Sequence, residues 1–132
     1  MAQTVAIPMA QRTATDVLQQ VFAPSPCPDD FLIQAGAALG LRPKSFVTAS
    51  ADATLGSGNI ALQSARYAAA LKTPGAVLFG DQDAVLDPQM NGTTMERFGL
   101  DCQMLSDHGH MLPICAPTQC NDFIRQTVAQ LP

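Results

Sequence analysis

Apolar positions recur at helical spacing in the first half of this chain and as short unbroken runs in the second. Thr15 ahead of Asp16, Val17, Leu18, Val21 and Phe22 predicts a short capped helix, stopped by the Pro24, Pro26, Pro28 series. Pro28 then sits where a first-turn proline is tolerated. Asp29 and Asp30 favour the positive end of a second helix, whose face carries Phe31, Leu32, Ala35 and Leu39 before Gly40 stops it. Arg42-Pro43 opens a third helix with Phe46, Val47 and Ser50 on one side. A fourth is predicted from about Asn59 to Leu71, with Tyr67 and Leu71 one turn apart. The first half thus reads as four short helices.

The second half opens with Ala76-Val77-Leu78-Phe79-Gly80, a run that predicts a strand buried on both faces of a parallel sheet. Residues Pro88 to Phe98 place Met90, Met95 and Phe98 at helical spacing, with Asn91-Gly92 weakening the middle. Leu100 to Leu105 predicts a second strand. Pro117 and Thr118 start a final helix with Cys120, Phe123, Ile124, Thr127, Val128 and Leu131 on one face. The order strand, helix, strand, helix makes the two strands parallel neighbours through a right-handed crossover.

Composition divides the chain at the same place. Sixteen of the twenty alanines lie in residues 1–75, and the change near Lys72-Thr73-Pro74-Gly75 separates a helical segment, 1–73, from a β/α segment, 74–132. The full length of 132 residues suits one ordinary domain, and 47% hydrophobic against 14% charged residues excludes a disordered tail. A net charge of -4 without a basic run argues against nucleic acid as a partner. Cys27, Cys102, Cys115 and Cys120 follow no paired spacing and the N-terminus lacks the pattern of a signal peptide, so a reduced, cytoplasmic chain is expected. No apolar stretch approaches the roughly 20 residues of a spanning helix, and no membrane association is expected.

Polar residues gather just past the ends of the two predicted strands: Asp81 and Asp83 after the first, His108 and His110 after the second. Catalytic groups collect there in open α/β sheets. From adjacent strands, a carboxylate can hold one imidazole nitrogen and leave the other free as a base. Gly80-Asp81-Gln82-Asp83-Ala84-Val85-Leu86-Asp87-Pro88, followed by Asp107-His108-Gly109-His110-Met111-Leu112-Pro113, closely resembles the C-terminal signature of the α/β-hydrolase superfamily. The resemblance implies that Asp83 is the triad acid and His110 the triad histidine, and it extends over residues 74–132. The first half is similar to the helical lid of such hydrolases, in Phe22 to Phe31, in Gly40-Leu41-Arg42-Pro43 and in Arg66-Tyr67-Ala68. On that analogy Phe22, Phe31 and Phe46 line an apolar substrate pocket, with ordinary helix packing as the alternative.

The departures from the pattern shape the expectation. The nucleophile elbow G-x-S-x-G and the oxyanion segment are absent. Ser57, in Leu55-Gly56-Ser57-Gly58-Asn59, has the right chain order, but it lies only 26 residues before Asp83 and no strand precedes it. The implied fold is therefore α/β, a lid segment followed by a two-stranded parallel β/α piece of a hydrolase core. The implied function is a fragment of a serine-type hydrolase for a small apolar substrate, inactive alone and prone to self-association through its exposed sheet edge. A non-catalytic ligand-binding or interaction module is the competing reading. No cofactor and no metal are expected. His108, His110, Cys115 and Cys120 fit zinc spacing poorly, and Gly56-Ser57-Gly58-Asn59-Ile60-Ala61 lacks the strand a dinucleotide fingerprint needs. Asp81 and Asp87 compete with Asp83 for the acid role, His108 reads as a loop residue, and Arg42 and Arg66 read as helix-start or carboxylate partners.

Overall fold

The structure is a computed structural model that describes residues 7–130 apart from Leu41; within helices, the side chains of residues 7–13, 38, 57–59, 61 and 68 fall outside the description. It is a mixed α/β chain. Helix α1 spans Ile7–Phe22. It begins well before the predicted cap at Thr15, because Ala10 and Gln11 to Ala14 offer no helix breaker and the turn is carried through Thr15. The predicted second helix is replaced by two single turns, α2 (Phe31–Gln34) and α3 (Ala37–Gly40). Between them Gly36 adopts a positive φ of 62°, a conformation that ends a right-handed helix and that glycine takes without a Cβ clash.

Helix α4 runs unbroken over Pro43–Ala70, where two short helices are expected from the sequence. Gly56 and Gly58 each weaken a helix by only about 1 kcal/mol, which the alanine-rich flanks offset. Ser50 and Thr54 turn their hydroxyls back onto the carbonyls of Phe46 and Ser50, at 2.8 and 2.9 Å, and so stay compatible with the helix. Arg42 precedes α4 in an extended conformation, as a residue before proline must.

Strand β1 (Ala76–Gly80) and strand β2 (Asp101–Leu105) pair in parallel, with Ala76 opposite Asp101 and Gly80 opposite Leu105. The crossover between them is shorter in helix than the sequence suggests. α5 covers Pro88–Asn91, Gly92 interrupts it, and a 3-10 helix over Thr93–Phe98 delivers the chain to β2. A single turn, α6 (Leu112–Cys115), follows β2, and α7 (Pro117–Gln130) starts at the predicted proline. Leu131, expected on the face of α7, lies outside the described residues.

Among the described residues the buried apolar set is Phe22, Leu112 and Ala116. β1 is not covered on both faces as its sequence predicts: only Gly80 is buried and the other four positions are half-buried. The apolar faces of α4 and α7 are open as well, with Leu55, Ile60, Leu62, Ile124 and Val128 exposed. The chain exposes 9339 Å². A folded monomer of its 13.9 kDa exposes about 6,700 Å² by the usual scaling of surface with mass. No helix among the described residues is long and apolar enough to cross a membrane.

Candidate functional site

The parallel register ends both strands at the same level, so the chain leaves Gly80 and Leu105 as two adjacent turns. The turn after β1 carries Asp81, Gln82 and Asp83; the turn after β2 carries Asp107, His108, Gly109 and His110. Gly80 is required by this proximity. A Cβ at that position would overlap the His108 carbonyl oxygen and come within 2.6 Å of the Gly109 carbonyl. Gly109 is equally hemmed in, since a Cβ there would overlap the Ala23 carbonyl, and this contact seats the end of α1 on the histidine turn.

The two turns bring Asp83 and His110 together, with His110 Nδ1 2.9 Å from Asp83 Oδ2. A carboxylate accepts, which assigns the proton to Nδ1 and leaves Nε2 as the basic nitrogen. Nothing among the described residues hydrogen-bonds to that Nε2. The Asp83 side chain is 3% exposed and the His110 side chain 31% exposed, so the acid is covered and the histidine open on one side. Asp83 Oδ1 accepts from the backbone N–H of Val85 at 2.8 Å and of Leu86 at 2.9 Å. Burial on its own would raise the Asp83 pKa. The N–H of Leu86, His110 and the N–H of Val85 outweigh it and hold the carboxyl below the usual carboxylate range. The arrangement keeps an anion fixed beside an imidazole, which orients the ring and stabilises it when it takes up a proton.

The three competing aspartates separate by what they touch. Asp87 caps α5, accepting from Gln89 N at 2.8 Å and Met90 N at 3.0 Å. Asp81 accepts from Asp107 N at 2.8 Å. Only Asp83 reaches a histidine. His108 makes no hydrogen bond to the pair, its Nδ1 donating to the Ser106 carbonyl at 2.6 Å.

An apolar groove of about 270 Å³, near the lower bound for small-molecule sites, adjoins the pair, lined by Leu78, His110, Leu112, Cys120, Phe123 and Ile124 among others. Phe22, Phe31 and Phe46 do not line it. Phe22 is fully buried and meets Phe31 edge-on with centroids 4.8 Å apart, which is the helix-packing alternative for this pair. Phe46 is half-buried in the first turn of α4. The sequence pointed to none of Leu78, Leu112, Cys120, Phe123 and Ile124 as groove residues; the signal for three of them is the apolar face of α7, and for Leu78 the apolar run of β1.

The backbone of Ser57 is within α4, with helix on both sides and no strand leading into it, and its side chain lies outside the described residues. The same continuous helix removes the turn that a dinucleotide fingerprint at Gly56 requires. The four cysteines are free, and among the described residues no group of three or more His, Cys, Asp or Glu side chains converges. Burial pushes the thiols of Cys102 and Cys120 up, Glu96 adding to the effect at Cys102. Neither Arg42 nor Arg66 forms an ion pair among the described residues, where the exposed pair Arg125 to Asp122 spans 3.5 Å. Comparison with protein-family models, with curated proteins and with solved structures gives no match to this chain.

Proposed function

We propose that this chain supplies the acid and the histidine of a serine-type hydrolase of the α/β-hydrolase kind, acting on an ester or similar bond of a small apolar substrate. The observation that carries the reading is the covered Asp83 carboxylate 2.9 Å from His110 Nδ1, at the C-terminal ends of two adjacent parallel strands. In this role His110 Nε2 takes the proton of an attacking hydroxyl and Asp83 stabilises the imidazolium. The hydroxyl must come from a separate segment. Cys120 shares the groove with His110, but it makes no hydrogen bond to the ring and burial keeps its thiol protonated, so it is not activated. On its own the chain is therefore inactive.

The test is p-nitrophenyl butyrate hydrolysis by the full chain, alone and co-expressed with an α/β-hydrolase N-terminal sheet segment bearing G-x-S-x-G. Turnover only in the co-expressed form, lost in Asp83→Ala and in His110→Ala, supports the reading. Turnover by the chain alone that disappears in both variants overturns the requirement for a second segment; turnover indifferent to both variants overturns the role of the pair.

A second reading, association without catalysis, is favoured by the exposed surface. The excess over a folded monomer is larger than the roughly 1,200–2,000 Å² that a stable interface buries. The open edge of β1 and the bare faces of α4 and α7 are the surfaces that would close. Light scattering at tens of micromolar is expected to find self-association; a monodisperse monomer overturns this reading.

A further inference from the structure

We infer that Asp81 and Gln82 are positioning residues that hold the histidine turn against the acid turn through Asp107, and so set the separation of Asp83 and His110. The inference rests on the hydrolase reading of that pair and concerns residues which that reading leaves without a part.

Besides the pair itself, four hydrogen bonds tie the acid turn to the end of β2 and the histidine turn. Asp81 N donates to Leu105 O at 3.0 Å and Gln82 N to His108 O at 2.9 Å, extending the β ladder past the strand ends. Two more use side chains. Asp107 N donates to Asp81 Oδ1 at 2.8 Å, and Gln82 Nε2 donates to Asp107 Oδ1 at 3.0 Å. Asp107 is thus gripped at its backbone and at its side chain by consecutive residues of the other turn.

The grip falls on a strained residue. Asp107 has φ 62°, and it is the one non-glycine residue in the left-handed region among those described. Such a conformation persists where neighbouring contacts over-determine it, and here both contacts come from the acid turn. Releasing Asp107 would let the turn return to ordinary backbone geometry. His110 lies three residues further on, and Asp83 two residues past Asp81, so the relaxation would act directly on the pair.

The test is titration of the Asp83 carboxyl carbon by NMR in the full chain, comparing Asp81→Ala with Asp81→Asn. Both variants remove the same carboxylate charge, so any effect of that charge on the Asp83 midpoint is common to the two. Asparagine keeps an oxygen that accepts from Asp107 N, and alanine does not. The expected result is an Asp83 midpoint in Asp81→Ala above that in Asp81→Asn, displaced toward the value in His110→Ala. Coincident midpoints, or a lower one in Asp81→Ala, overturn the inference. Should Asp81→Ala fail to fold, amide exchange in the unaltered chain decides: the Asp107 and Gln82 amides are expected to exchange as slowly as those pairing β1 with β2, and exchange at the rate of unstructured chain overturns the inference. These readouts need no turnover, so a failed ester assay with a normal Asp83 comparison rejects the hydrolase reading and leaves the positioning role standing, whereas the reverse result rejects the positioning role alone.

Discussion

Gly80 and Gly56 are the same residue in two regions built on different terms. At Gly80, at the end of β1, an added Cβ would strike the carbonyl of His108, 28 positions away in the chain. Around Gly56, in α4, nothing among the described residues lies within 4 Å of the same added atom apart from the neighbouring backbone of the helix itself. The β/α region is fixed by contacts between distant residues, and the hydrogen bonds at its strand ends join turns separated by 25 to 27 positions. The long helix is fixed by its own ladder, with local bonds such as Ser50 to Phe46. The difference teaches where a site can form. A hydrogen bond that closes a loop of that length holds two side chains in a defined relation, whereas a helix with bare faces presents surface without fixing any pair of groups.

Four substitutions probe that contrast. The largest effect is expected at Phe22, which ends α1 one residue before the Ala23 carbonyl that meets Gly109, is fully buried and packs on Phe31. Phe22→Ala should lower the unfolding free energy by about 3–5 kcal/mol in urea titrations at fixed chain concentration. A loss under about 1 kcal/mol would mean that the helical region does not dock on the histidine turn. Gly80→Ala should cost about 3 kcal/mol and abolish the Asp83–His110 contact, because the atoms in the way belong to backbone. Unchanged stability there would break the comparison at its centre.

Asp83→Asn should cost about 1.5–3 kcal/mol near neutral pH, the worth of hydrogen bonds to a charged acceptor. The folded chain holds Asp83 below the usual carboxylate range, so its contribution is complete above the unfolded value of about 4 and is lost as the pH falls through the lower folded value. Wild-type stability should therefore drop as the pH falls below about 4, and the variant should lack that part of the drop. A pH profile identical in the two would show that the carboxylate is not held by its three donors. The smallest effect, and the one of opposite sign, is expected for Gly56→Ala, a gain of about 0.5–1 kcal/mol from backbone entropy alone. A loss there would mean that another part of the chain packs on α4 at Gly56, beyond the contact of Tyr67 with Phe98 near its C-terminal end.

Much of the β/α region was legible in the sequence. An unbroken apolar run ending in glycine has few alternatives to a strand, and Pro117 marks a helix start because its missing N–H costs nothing there. Asp81, Asp83, His108 and His110 were legible as candidates through their positions after the two strands, and it was the resemblance that named Asp83 and His110 among them. The helical region was misread at its boundaries. Thr15 looks like a cap and Gly56-Ser57-Gly58 like a break, yet each is only a weak local preference that a long helix can absorb. Gly36, which carries no such signature beside its alanines, made the break that mattered.

By itself the sequence determined the two strands and the closing helix of residues 76–130 and the chemistry placed at the strand ends, because apolar runs and proline act over a few residues. Only the tertiary structure decided which of Asp81, Asp83 and Asp87 meets a histidine, since all three are turn carboxylates and their roles depend on groups brought in from Gln89, Asp107 and His110. It alone decided, too, that β1 is half open: an apolar strand needs a partner on each face, and whether that partner is present is a property of packing and not of the strand.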